Sequence, residues 1–294
     1  GKHTQHCLDI GGSKNILFSG NFQDNNNGLT GYAENSAVQV DSANGSAFVG
    51  INVDNTESED VTITGNRFIN TNSNSLLHIG HNSGTAKNVI ITNNYLKGTS
   101  RSFARLIKND TDGASIDGLI IADNIIDITT ANNAGISILT NGNSSEFIKN
   151  VTISGNVIKG TGRFGIVVGG TDSYLGSTYP NVENITIEGN TVDIDHTDST
   201  VNNGGIVLNL IRASKVENNM VRVKKDTDAS VEFYGIDVVS ALLTTVSDNT
   251  VTTELTTYTG TADSACIRVA KFGSVATTSD VGVSVISNNL DATQ

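Results

Sequence analysis

The chain has 294 residues, with 30 acidic against 18 basic side chains and a formal net charge of −12. That balance argues against nucleic acid or an anionic membrane surface as the main partner, and no apolar run approaches the ~20 residues that span a bilayer. The 37% hydrophobic content is spread evenly, as a long thin core requires. No charged-then-apolar leader opens the sequence, which starts abruptly inside a repeat and so reads as a fragment of a longer chain. Cys7 and Cys266 lie near opposite ends and read as two small buried hydrophobes.

In chain order, two kinds of segment alternate. One kind is short and apolar: CLDI (7–10), AVQVD (37–41), LLHIG (76–80), ARLIKN (104–109), GISIL (135–139), GIVVG (165–169), GIVLN (205–209), GIDVV (235–239) and CIRVA (266–270). The other ends in Asn, one residue, then an apolar residue: KNILFSGNF (14–22), DVTITGNRF (60–68), NVIITNNYL (88–96), GLIIADNII (118–126), NVTISGNVI (150–158), NITIEGNTV (184–192), SKVENNMV (214–221), TTVSDNTV (244–251) and VSVISNNL (283–290). The shared asparagines are Asn21, Asn66, Asn94, Asn124, Asn156, Asn190, Asn219, Asn249 and Asn289, spaced 28 to 45 residues apart.

Both kinds alternate apolar and polar residues with period two and are rich in β-branched side chains, which means strand rather than helix. A repeat of this length built from short strands suits neither helical repeats nor four-stranded blades. It predicts an all-β fold: a single-stranded right-handed parallel β-helix of about nine coils, one domain over 1–294. Each strand then pairs with its equivalent one coil away, at ~4.8 Å. The repeated Asn is expected to take the left-handed backbone of a tight corner and to hydrogen-bond to the Asn of the next coil.

This pattern resembles the right-handed parallel β-helix proteins of the pectin-lyase-like superfamily, over essentially the whole chain. The N-terminal third resembles, more narrowly, β-helix proteins of phages and Gram-positive bacteria. The residues that carry this are His6-Cys7-Leu8-Asp9-Ile10, then Glu34 with Ala37-Val38-Gln39-Val40-Asp41, then His78-Ile79-Gly80-His81; Asn35 and Ser36 separate Glu34 from Ala37. The resemblance implies a virion-tail or cell-surface protein that binds, and often cleaves, a cell-surface glycan or teichoic-acid-like polymer. It also implies a parallel homotrimer, for which outward valines such as Val167 and Val207 could face a neighbour or a covering loop.

Alternation along the strands places Asp9, Gln39 and His78 in one outward column, with Asp41 in the next and His81 just beyond. Four of the five histidines fall in the first three coils. One coil and two residues of strand put Asp9 and Asp41 ~8 Å apart, within the ~6.5–9.5 Å of an inverting glycoside hydrolase. Asp41 with Asp9 or Glu34 is therefore the expected acid/base pair. His78 and His81 are candidate base or substrate-lining groups, Gln39 lines the same groove, and Tyr32 could stack on a sugar ring. Lys97, Arg101, Arg105 and Lys108 form a basic cluster suited to an anionic polymer. In a lyase reading, Lys108, Arg105 or His78 abstracts a proton beside a uronate carboxylate neutralised by a cation. No cofactor or metal motif appears, and Asp-rich segments that could take Ca²⁺ lack EF-hand spacing. A glycan-binding module without catalysis and a purely structural shaft are the competing readings; the uneven placement of His and acidic groups speaks against the shaft.

Overall fold

The computed structural model describes residues 8–24, 49–52, 57–70, 77–79, 84–98, 104–106, 114–129, 134–140, 147–170, 181–196, 203–225, 232–255, 264–270 and 282–293. These residues form a parallel β-helix. Every strand pairing is parallel, and three nine-stranded sheets run the length of the stack, each receiving one strand per coil. The first sheet holds Leu8–Gly11, Val49–Asn52, Leu77–Ile79, Ala104–Leu106, Ala134–Thr140, Phe164–Gly170, Asn203–Asn209, Phe233–Val239 and Ser264–Ala270. The second begins with Lys14–Ser19 and Glu57–Thr64 and ends with Val283–Ile286; the third begins with Phe22–Asp24 and Arg67–Asn70 and ends with Asn289–Thr293. No helix occurs among the described residues.

The core is a set of stacked aliphatic columns. Ile63, Ile91, Ile121, Ile153 and Ile187 are register partners in the second sheet and all are buried. Leu96, Ile126, Ile158 and Val192 do the same in the third sheet, and Ile136, Ile166, Ile206 and Ile236 in the first. Each such side chain contributes roughly 1.5–3 kcal/mol by leaving water, and like stacks on like because in-register parallel pairing brings equivalent residues together. Gly135, Gly165, Gly205 and Gly235 explain the glycine that opens four of the short segments. A Cβ there would lie 2.1 to 2.4 Å from Ile158, Val192, Val221 or Val251. Only a bare backbone lets the first sheet approach the third this closely.

The corner between the second and third sheets carries the asparagine ladder. Asn94 donates from its backbone N–H (2.9 Å) and its Nδ2 (3.0 Å) to Oδ1 of Asn124. Asn124 does the same to Asn156 at 3.1 and 3.0 Å, and the pattern runs from Asn21 to Asn288. Two expectations are corrected here. The last rung is Asn288, not Asn289; Asn289 opens the final strand. The left-handed residue is not the ladder Asn but the one before it: Gly65 (φ 65°), Asn93 (φ 56°), Asp123 (φ 55°) and Gly155 (φ 63°), for example. That division of labour follows from geometry. The left-handed residue turns the chain by a sharp angle, and the next side chain then points into the corner, where its amide meets backbone carbonyls such as Ile91 O (2.9 Å) and Ala122 O (2.9 Å).

Candidate functional site

One register column of the first sheet holds three of the candidates from the sequence, Asp9, His78 and Arg105. Its Cα partners are, coil by coil, Asp9, Gly50, His78, Arg105, Ser137, Val167, Val207, Asp237 and Arg268. Asp9 and His78 therefore share a column, and Arg105 is the direct register partner of His78.

The second coil differs from expectation. The strand beside Leu8–Gly11 is Val49–Asn52, so Gly50, not Gln39, stands between Asp9 and His78. The 37–41 segment, on which the expected Asp9–Asp41 pair rests, lies outside the described residues. The reason for the changed strand is chain length. In neighbouring coils the first-sheet strand ends a few residues before the second-sheet strand starts, as in Leu77–Ile79 followed by Gly84–Thr92. Val49–Asn52 keeps that distance to Glu57–Thr64, whereas residue 41 lies well short of it. The central glycine, a weak strand former, hid the true strand. Tyr32, Glu34, Gln39, Asp41, His81 and Lys108 lie outside the described residues.

The basic cluster is also divided. Arg105 belongs to the first-sheet column, but Lys97 sits in the third sheet, where its Nζ is 3.9 Å from Asp127. Arg101 lies outside the described residues.

Sequence reasoning missed a constellation with defined side chains at the other end of the same column. Arg268 makes a forked contact to Asp237, Nε to Oδ1 at 2.8 Å and Nη2 to Oδ2 at 2.7 Å, while its Nη1 donates to Glu232 at 2.8 Å. Its guanidinium lies 3.9 Å from the centroid of the Tyr234 ring. Burial, and then the hydrogen bond to Glu232, push the Tyr234 hydroxyl well above the ordinary tyrosine range. The hydrogen bonds to Asp237 hold Arg268 firmly protonated. The signal that could have found it was the pairing of Asp237 with Arg268 at equivalent places in successive repeats.

Between these ends, Ser137 and Val167 alternate with inward core residues, so they point away from the core, yet both are buried. Val167 thus presents no apolar face to a neighbouring copy. Cys266 is a free thiol, buried against Thr253 and the carbonyl of Asp291; Cys7 lies outside the described residues. Among the described residues no three His, Cys, Asp or Glu side chains converge as metal ligands, and no helix is long and apolar enough to cross a membrane.

No protein-family model matches the chain, and no curated protein matches it. Among solved structures, it is similar to a tailspike protein variant of the E. coli bacteriophage HK620 in complex with a pentasaccharide: 11% identity and a TM-score of 0.35, over 96% of this chain and 56% of that one. The chain thus spans little more than half the length of that tailspike. It is also similar to the A-module of the mannuronan C-5 epimerase AlgE6 of Azotobacter vinelandii: 12% identity and a TM-score of 0.29, over 86% of this chain and 79% of that module.

Proposed function

We propose that this protein acts on a linear cell-surface polysaccharide or teichoic-acid-like polymer lying along the first sheet, and cleaves it by acid/base hydrolysis near the N-terminal end of the register column. The observation that supports this reading is the placement of Asp9, His78 and Arg105 in one register column, with Gly50 between Asp9 and His78. Two strand spacings separate the Cα atoms of Asp9 and His78 by ~9.6 Å. That distance leaves room for a glycosidic linkage and an attacking water between an acid and a base. Arg105, one strand beyond, supplies a cation for a carboxylate or phosphate of the polymer. Asp41 or Glu34 is the second carboxylate of this scheme; Tyr32, Gln39, His81 and Lys108 complete the substrate-binding set. The protein then works on a virion tail or at a cell surface, without a cofactor.

The test is a reducing-end assay on envelope polymers of candidate hosts. New chain ends are expected with the parent protein, and a strong loss with Asp9→Asn or His78→Gln. Polymer that is retained but never shortened would reduce the protein to a glycan-binding module. A lyase reading is favoured by one specific observation, the direct pairing of His78 with Arg105, which sets a base beside a cation. An ultraviolet-absorbing unsaturated product decides for it.

A further inference from the structure

We infer that the outer face of the third sheet is a self-association surface, which takes a second copy of this chain in antiparallel orientation. The first residue of each third-sheet strand forms a column in which Phe22, Ile125, Val157 and Met220 are exposed to 66%, 44%, 38% and 57%. Arg67 lies in the same column, its guanidinium 6.0 Å from the ring of Phe22 and 4.7 Å from that of Tyr95, which extends the apolar ridge. Outward positions of a sheet facing water are ordinarily polar, and the next outward column obeys that rule from Lys97 onward. After Ile69 it reads Lys97, Asp127, Lys159, Asp193, Arg222, alternating in sign from coil to coil.

The occupant follows from charge. A chain with net charge −12 repels itself over most of its surface, but this strip is close to neutral, because in its charged column each cation has a carboxylate above or below it. A two-fold axis parallel to the strands, set between the coils of Ile125 and Val157, lays both columns on their own counterparts in reverse order. Ile125 then faces Val157 of the second copy, Lys97 faces its Asp193, and Asp127 faces its Lys159. A two-fold axis along the stack instead sets each residue of the apolar column against itself and leaves the charged column unmatched. A strip of eight coils, ~38 Å long and two or three side chains wide, buries about 500 Å² per copy. That lies at the low end for specific interfaces, so the dimer is weak and concentration-dependent.

Sedimentation velocity across a concentration series tests this. Reversible dimerisation is expected, and Ile125→Asp/Val157→Asp should weaken it at least tenfold while the thermal transition, followed in parallel, stays in place. Orientation is read by disulfide trapping in a Cys7→Ser background. Ile125→Cys mixed with Val157→Cys should form the crossed dimer readily, and each alone should form little. Self-crosslinking of Ile125→Cys would overturn the antiparallel arrangement. A parent protein that stays monomeric at the highest concentration, or whose double-Asp variant loses only polymer binding, would overturn the proposal and assign the ridge to glycan. Activity of the proposed hydrolytic site enters none of these readouts.

Discussion

The two ends of the first-sheet column use the same kinds of residue in opposite ways. Near the C-terminus, Asp237 and Arg268 are direct register partners; they close on each other, with Glu232 and Tyr234 completing the network. Near the N-terminus, Asp9 has glycine as its register partner, and the first basic group along the column, His78, lies one strand further. A carboxylate beside a guanidinium forms a fixed ion pair. On the proposed reading, Asp9 and His78, two strands apart in register, leave a place between them for a third molecule. What separates the two ends in register is one residue without a side chain, Gly50, standing between acid and base.

The largest expected effect lies at the N-terminal end. Asp9→Asn and His78→Gln should each lower turnover by about 10²- to 10⁴-fold, the range for loss of a general acid or base. Gly50→Val, which fills the place between them, should lower turnover comparably with little change in the thermal transition. Retention of activity in Gly50→Val would abolish the contrast drawn above.

Next comes the ladder that holds both ends in register. Asn124→Ala removes the acceptor for two donors of Asn94 and the amide donor to the carbonyl of Ile91, while the carbonyl of Ala122 keeps the backbone N–H of Asn93. At ~1–3 kcal/mol for each unmet buried group, a destabilisation of about 3–4 kcal/mol should appear in denaturant unfolding. A cost under about 1 kcal/mol would mean the amide column is incidental to the corner.

At the C-terminal end, Arg268→Leu leaves Asp237, nearly all of it buried, without its forked partner. Because the guanidinium itself is partly exposed, about 2–3 kcal/mol is expected rather than the full cost of a deeply buried unpaired charge. Turnover on the polymer should survive, which separates the two ends directly.

The smallest effect is a pH dependence. Tyr234 is harder to ionise in the folded chain than in the unfolded one. The unfolded chain therefore releases that proton first, and its share of stability is intact below the ordinary tyrosine value of ~10 and declines as the pH rises above it. Tyr234→Phe should flatten the alkaline fall of the unfolding midpoint, and an unchanged slope would contradict the environment described for this hydroxyl.

Period-two alternation and the recurring Asn-x-apolar triplet made most strands legible, because parallel stacking forces each coil to repeat the demands of the last. The same triplet, applied strictly to Asn288-Asn289-Leu290, selects Asn288; the adjacent pair of asparagines obscured it. The second-coil strand was hidden because AVQVD alternates better than VGIN, and strand propensity says nothing about how much chain must remain to reach the next corner. That reading put Gln39 in the column and left Gly50 out. The basic cluster failed for a related reason. Residues close in sequence diverge to different walls within one coil, as Lys97 and Arg105 do. The network around Arg268 was visible as an Asp–Arg succession, but its closure through Glu232 and Tyr234 depends on side-chain direction that no spacing conveys.

The amide ladder has a sense. From Asn66 to Asn249 each rung donates to Oδ1 of the asparagine one coil later, while its Nδ2 also reaches back to a carbonyl of the coil before. During synthesis, each corner thus stays incomplete until the ribosome has delivered the following turn, which favours growth from the first coil onward like courses of brick. The same polarity makes whole turns interchangeable units: excising residues 125–156 rejoins Asn124 to the strand that follows Asn156 with the ladder still in phase, and should give a shorter protein that still folds.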